Sequence, residues 1–280
     1  MKKLLFLLVG IACSLLSYAQ TNQVVWNNGR IQFAQPIVSI DSLTYLGDVE
    51  ESDTIHLILP RVIHDTIIQH DTVYIPVADH TPDGVLAVDL GLPSGIKWAS
   101  CNVGATTPEG YGDYYAWGEI TTKDSCTWEN YTLANGSDTT LTKYCNDSTY
   151  GNKGFKDNKT TLDLEDDAAH VNWGGNWLMP TDAEWTELRT NCTWTWKTQN
   201  NVNGYLVKSN TNSNSIFLPA AGFRYGTSLG REGLFGYYWS ASLDESNPYS
   251  ARRIYFYSKD QNMYSSGLRY YGQSVRPVCR

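Results

Sequence analysis

The spacing of apolar residues divides this chain into four stretches. Leu4 to Leu16 is a nearly unbroken apolar run, preceded by Lys2 and Lys3 and followed by Ser17-Tyr18-Ala19. Positive end, apolar middle and small-residue close are the pattern of a cleaved export signal, and the run is shorter than the roughly 20 apolar residues a bilayer span needs. Residues 1–19 are therefore read as a signal peptide cut after Ala19. A retained N-terminal anchor is the alternative. Lipidation at Cys13 fits less well, because Gly10-Ile11-Ala12-Cys13 has no bulky aliphatic residue three positions before the cysteine.

Residues 20–48 switch to short apolar clusters. Val24-Val25-Trp26 and Ile31-Gln32-Phe33 flank Asn27-Asn28-Gly29, whose Asn-Gly suits a tight hairpin turn, so the segment is read as a small β-unit. Residues 49–84 repeat a short phrase: Ser52-Asp53-Thr54-Ile55, His64-Asp65-Thr66-Ile67 and His70-Asp71-Thr72-Val73. With Pro60, Pro76 and Pro82 among β-branched residues, this stretch is read as an extended spacer.

The pattern from 85 to 280 predicts many short strands and little helix. Strand signals fall at 85–90, 96–99, 193–197, 205–208, 216–218, 237–241, 254–257 and 274–278. A short helix is expected over 163–170. A second should start at Thr181-Asp182-Ala183-Glu184, a capping box that puts Trp185 and Leu188 on one face. Residues 120–160 read as long loops. Strand–helix alternation is missing, so the expected class is α+β. Within 251–257, alternation places Ile254 and Phe256 inward and leaves Arg253, Tyr255 and Tyr257 on the other face.

Composition narrows the function classes. The net charge is −8, and signal cleavage removes Lys2 and Lys3 to leave −10. An acidic chain without a basic patch gains no counterion release on nucleic acid, which excludes that partner. No further apolar run is long enough for a membrane span after cleavage. Five cysteines remain: Cys101, Cys126, Cys145, Cys192 and Cys279. In an oxidising compartment they suggest up to two disulfides and one free thiol, in no readable pairing. Their spacing matches no zinc site, and no metal or other cofactor is expected.

Long phrases carry a family resemblance: 88–119 (VDLGLPSGIKWASCNVGATTPEGYGDYYAWGE), 176–196 (NWLMPTDAEWTELRTNCTWTW), 216–224 (IFLPAAGFR), 237–242 (YYWSAS) and 272–278 (GQSVRPV). Together they resemble the Fibrobacter succinogenes major paralogous domain, common in surface proteins of Bacteroidetes-type bacteria. That family is similar to the C-type-lectin-like fold in its formylglycine-generating-enzyme branch. The resemblance implies such a domain over 85–280. It also raises two chemistries. Cysteine oxidation would need a copper-binding cysteine pair, for which the C-terminal half offers only Cys192 and Cys279, without the accompanying GNVWEW-like segment. Calcium-dependent sugar binding has its usual EPN, QPD and WND phrases missing. Asp163, Glu165, Asp166 and Asp167 could ligate calcium, but an acidic first turn of a helix explains them more simply. In the spacer, each Asp-Thr-aliphatic triplet resembles a bacterial O-glycosylation signal, and an unmodified spacer is the equal alternative.

Eight of the 19 tyrosines fall between 237 and 271, at positions 237, 238, 249, 255, 257, 264, 270 and 271, among Ser, Asn and scattered Arg. That is the composition of adaptable binding loops, in which Tyr gives contact area at low entropy cost. The region also resembles the variable stretch in proteins of diversity-generating retroelements. On that likeness Trp239, Ile254, Phe256, Gly272, Val275 and Pro277 are frame, and Asp260 joins the varied positions. The expected ligand-binding set is Asp244, Asn247, Tyr249, Arg252, Tyr257, Asn262, Tyr264, Arg269 and Tyr270. The expectation is a secreted or outer-surface, non-enzymatic protein that captures a glycan or protein ligand at the cell exterior. An oxidase relative and a structural component of a surface assembly are the alternatives.

Overall fold

A computed structural model describes residues 81–260 and 265–280, together with the backbone of short strands ahead of them. The chain divides into two compact units, Met1–Asp79 and His80–Arg280. In the first, Val24–Asn27 pairs antiparallel with Arg30–Phe33, and His56–Ile63 with Thr66–Tyr74. The second hairpin runs through the stretch read as an extended spacer, so its β-branched residues pair with one another. Leu7–Val9, within the expected signal peptide, pairs antiparallel with Leu43–Tyr45, and the rest of that peptide lies outside the described residues.

The second unit is built mainly of short antiparallel strands with two short α-helices, an α+β arrangement. β1 (Ala87–Asp89) and β2 (Lys97–Ala99) begin a four-stranded sheet ordered β1-β2-β12-β3, where β3 is Trp177–Leu178 and β12 is Val278–Cys279. The last strand thus inserts between β2 and β3 and ties the end of this unit to its beginning. Residues 274–277 were expected to be strand. Pro277 lacks an N–H, so they run extended but bond singly: Ser274 to Tyr237, Val275 to Val103 and Pro277 to Ala99.

The expected helix over 163–170 is instead a 3-10 turn, Leu164–Asp166, followed by α1, Ala168–Trp173. The break falls at Asp167, which is buried and serves as N-cap, accepting from the amides of Ala169 and His170 and from Met179 N. Burial raises the Asp167 pKa, and those three amides oppose the rise. α2 (Asp182–Asn191) starts as the sequence predicts. Thr181 Oγ1 accepts from Glu184 N at 3.3 Å, and the Glu184 carboxylate accepts from Thr181 N at 2.7 Å. Trp185 and Leu188 are buried against Trp98 and Tyr238. Glu184 also holds Arg280 at 2.6 Å. Burial pushes the Glu184 carboxyl up, but Arg280 and the Thr181 amide outweigh it and hold the pKa below its ordinary 4.5. The depressed group stabilises the fold above about pH 4.5 and loses that contribution as pH falls through its lowered value. Glu184→Gln, which keeps the cap, should therefore cost under about 1 kcal/mol at pH 7 and flatten the loss of stability between about pH 5 and 3. Urea midpoints measured across that range check it.

Beyond α2 comes a meander, β4 (Cys192–Gln199), β5 (Val202–Ser209) and β6 (Ser215–Pro219). β4 and β5 are joined by Asn200 and Asn201, both at positive φ (47° and 65°), the left-handed pair a two-residue hairpin requires. Then follow the hairpin β7 (Phe223–Tyr225) and β8 (Ser228–Gly230), and a sheet of β9 (Phe235–Leu243), β10 (Ser250–Tyr257) and β11 (Ser265–Leu268). The inner face of that sheet, with Tyr238, Ile254 and Phe256 buried, closes one core with α2 and the meander. A second core gathers Trp117, Trp173, Trp177 and Trp239, and a third lies under the long loops around Tyr131 and Leu141. No described helix is long and apolar enough to cross a membrane.

The five cysteines are free thiols rather than the expected disulfides. They are held in different places. Cys192 lies in the first core, Cys145 in the third and Cys279 against the second. Cys126 pairs its backbone with Gly226, and Cys101 lies beside Ser100.

Candidate functional site

The outer face of the β9–β10 pair follows directly from register. Phe235 sits opposite Tyr257, Tyr237 opposite Tyr255 and Trp239 opposite Arg253, while the alternate residues face the core. Trp239 is buried on that outer side, donating its indole N–H to Tyr115 O. The other five are half-buried, as alternation predicts for Arg253, Tyr255 and Tyr257.

Rings from three other segments extend this face. Phe223 packs on Tyr237 at 5.0 Å and on Tyr271 at 5.2 Å, Tyr271 meets Tyr270 at 4.7 Å, and Tyr270 meets Trp128 at 5.1 Å. Tyr225 stacks on Phe223 at 5.5 Å. Toward the other end, Tyr237 stacks with Phe235 at 5.9 Å and Tyr255 at 6.1 Å, and Phe235 meets Tyr257 at 5.1 Å. Nine rings thus form an unbroken strip, and each is partly or fully exposed. Three guanidiniums lie over rings at or beside it: Arg253 over Tyr237 at 4.9 Å, Arg231 over Phe235 at 5.0 Å and Arg224 over Tyr114 at 5.4 Å. Among the described residues none of the three is ion-paired with a carboxylate.

The residues expected to bind ligand separate into groups. Tyr257 and Tyr270 belong to the strip. Asp244, Asn247, Tyr249 and Arg252 gather instead at the turn joining β9 to β10. Asp244 is buried, accepting from Ser266 Oγ at 2.5 Å and from Ser246 N at 3.2 Å, and pairing with Arg252 at 3.4 Å. Asn247 and Tyr249 bond to each other, and Tyr249 packs on Tyr150. Asp244 therefore serves the turn and does not face outward as expected.

Arg269 is a larger correction. It is fully buried, donating to Tyr131 Oη and to the carbonyls of Tyr144, Pro248 and Lys143, with its guanidinium against the Trp117 ring at 4.8 Å. A charge so enclosed is held by the protein itself. Asn262 and Tyr264 lie outside the described residues. All six residues read as apolar frame are buried.

Neither chemistry raised by the resemblance has a ready site. Asp163, Glu165 and Asp166 do converge, but Lys143 Nζ stands among them at 3.0, 2.7 and 2.5 Å, and Lys159 Nζ is 2.6 Å from Asp163. Burial works against the Lys143 ammonium, yet the three carboxylates hold its pKa above the ordinary value. An ammonium thus satisfies the charge a cation would otherwise neutralise. Asp167 caps α1 and takes no part. Cys192 is buried in the first core, and desolvation pushes its thiol up to about 11, so it stays protonated at neutral pH and is a poor nucleophile or metal ligand.

Sequence reasoning put Arg253 and Tyr255 on the right face but outside the site, and it missed Trp128, Phe223, Tyr225, Phe235, Tyr237 and Tyr271. Nothing local marks Trp128. No family model, curated protein or solved structure matches this chain, so the functional reading has to rest on the face itself.

Proposed function

We propose that this chain is an exported bacterial surface protein whose domain from residue 85 onward, a C-type-lectin-like domain of the major paralogous type, captures a ligand on its aromatic face without chemical turnover. One observation carries the reading: nine neighbouring rings remain partly exposed although the same domain buries seven of its tryptophans in its cores. Exposed apolar surface in one continuous patch marks an interaction site more than scattered single residues do. The rings are stiff and amphipathic, so little side-chain entropy is lost when a ligand settles on them. Their mutual packing fixes the face before the ligand arrives. The buried, protonated Cys192 gives the oxidase alternative little support.

The test is binding of the secreted chain to an array of immobilised glycans and extracellular proteins. Tyr257→Ala and Phe235→Ala should each weaken the retained ligand about 10- to 30-fold, as truncation of a hot-spot ring does. Both side chains are half-buried, so melting temperatures should stay within a few degrees of the parent. If the parent and both variants bind every probe alike, the proposal fails. Self-association lost in the same variants would favour a structural assembly component instead.

A further inference from the structure

Arg253 is held differently from Arg252, Arg269, Arg276 and Arg280. Arg269 and Arg276 each make hydrogen bonds from all three guanidinium nitrogens to protein oxygens. Arg252 and Arg280 each pair with a carboxylate. Among the described residues Arg253 makes one long bond, Nε to Ser265 Oγ at 3.4 Å, and otherwise only faces the Tyr237 ring. Burial lowers its pKa, and the surrounding Tyr237, Tyr271 and Tyr255 only partly offset this. A partly desolvated cation without a counter-charge costs free energy that an arriving anion would recover.

A second polar group nearby is also incomplete. Gln273 is fully buried, its backbone fixed by a pair of bonds with Tyr115, and neither amide atom of its side chain has a partner. Its Nε2 and the Arg253 Nη1 both approach Gly267 closely. A Cβ on that glycine would stand 2.9 Å from the amide and 2.8 Å from the guanidinium. Both groups therefore close over the glycine, and a side chain at 267 would push them aside. Buried amides in native proteins are nearly always satisfied, so an amide without a partner among the described residues, beside a guanidinium with a single long bond, points to function.

The type of ligand follows from the surroundings. Aromatic faces suit the C–H faces of sugar rings, and tyrosine hydroxyls at their rims suit sugar hydroxyls. An extended peptide would dock by adding a strand to a sheet edge. Here the free edge of β9 is already occupied by bridges from Gly222 and Ser274, and Arg253 lies on the middle strand. The chain as a whole is acidic, so an anion is not drawn in by net charge and has to be held at contact. We propose that Arg253 seats the carboxylate of an acidic sugar, a uronic or sialic acid, with Gln273 as its positioning residue, so that the ligand of the aromatic face is an acidic glycan. This rests on the reading of that face given above.

The experiment measures affinity of the secreted chain for two matched pairs: an oligogalacturonide against its carboxyl-reduced form, and sialyllactose against lactose. The parent should prefer the acidic member of at least one pair by tenfold or more, and the preferred pair identifies the acid. Arg253→Gln should abolish that preference, bringing the acidic member of the pair down to the affinity of the neutral one. Arg253→Lys should recover only part of it, because an ammonium cannot grip a carboxylate at two points. Gln273→Met removes the unpaired amide at similar volume. It should reduce the acidic preference several-fold with melting temperature unchanged or raised, a combination that a merely structural glutamine would not give. Equal affinity for acidic and neutral members, or a preference that survives Arg253→Gln in a folded variant, overturns the proposal. If Tyr257→Ala still weakens the neutral sugars in that case, the aromatic face stands without the carboxylate seat. No measurable binding of either acidic probe to the parent also overturns it.

Discussion

Arg269→Ala should unfold the domain rather than disarm it. Four hydrogen bonds leave this guanidinium, one to Tyr131 Oη at 2.8 Å and three to carbonyl oxygens of Tyr144, Pro248 and Lys143 at 3.0 to 3.2 Å. They tie β11 to the long loops that otherwise have little regular structure. Alanine would leave those acceptors buried without donors, at about 1–3 kcal/mol each where water cannot reach them. It would also open a cavity beside Trp117, Tyr131 and Tyr144. Since some acceptors will relax, a total of about 4 kcal/mol is the reasonable expectation, a large part of a typical domain's stability. That corresponds to a melting temperature lower by about 10 °C for a domain of this size. Arg269→Met, which refills the volume but not the hydrogen bonds, should recover less than half of the loss. The opposite result, a shift under about 2 °C with ligand binding abolished, would return Arg269 to the ligand-contacting set.

This residue also shows where the sequence stops being legible. Alternation sorted Ile254 and Phe256 from Arg253, Tyr255 and Tyr257 because a strand's faces are set by local geometry. The capping box at Thr181 and Glu184 was readable for the same reason, all its partners lying within four residues. Arg269 sits among tyrosines and serines and reads as one more exposed polar residue. Its partners Tyr131 and Tyr144 are 138 and 125 positions away, in loops with no periodicity to place them. Trp128 and Phe223 join the aromatic strip for an equally non-local reason. The acidic run at 163–167 was read as the first turn of one helix but forms a 3-10 turn ahead of α1, and neither Lys143 among its carboxylates nor the role of Asp167 in breaking the helix was visible. Local pattern fixed which residues alternate. Tertiary closure decided which charges were enclosed.

Gly236→Ala should damage both stability and binding, through a ring on the opposite face of the sheet. Gly236 on β9 lies in register with Phe256 on β10, and the aromatic ring covers it: an added Cβ would stand 2.1 Å from Phe256 Cζ. That ring is fully buried and enclosed by Tyr205 at 5.3 Å, Tyr238 at 5.8 Å, and Trp194 and Trp196 at 6.4 Å. It has little freedom to swing aside, so β9 must lift from β10, at about 3 kcal/mol, the upper range for overpacking a core. Phe235 and Tyr237 flank the glycine on the outer face and would move with the strand. Affinity for the ligand should then fall as far as it does in Tyr257→Ala, although alanine at 236 touches no ligand. A double-mutant cycle with Phe256→Leu separates the mechanisms. Leucine shortens the obstructing side chain, so the double variant should be more stable than the sum of the single effects predicts, by about 1 kcal/mol or more, with part of the binding restored. Strictly additive losses would mean that the glycine is needed for its own backbone and not for the space under Phe256. The aromatic face would then be independent of the core packing beneath it.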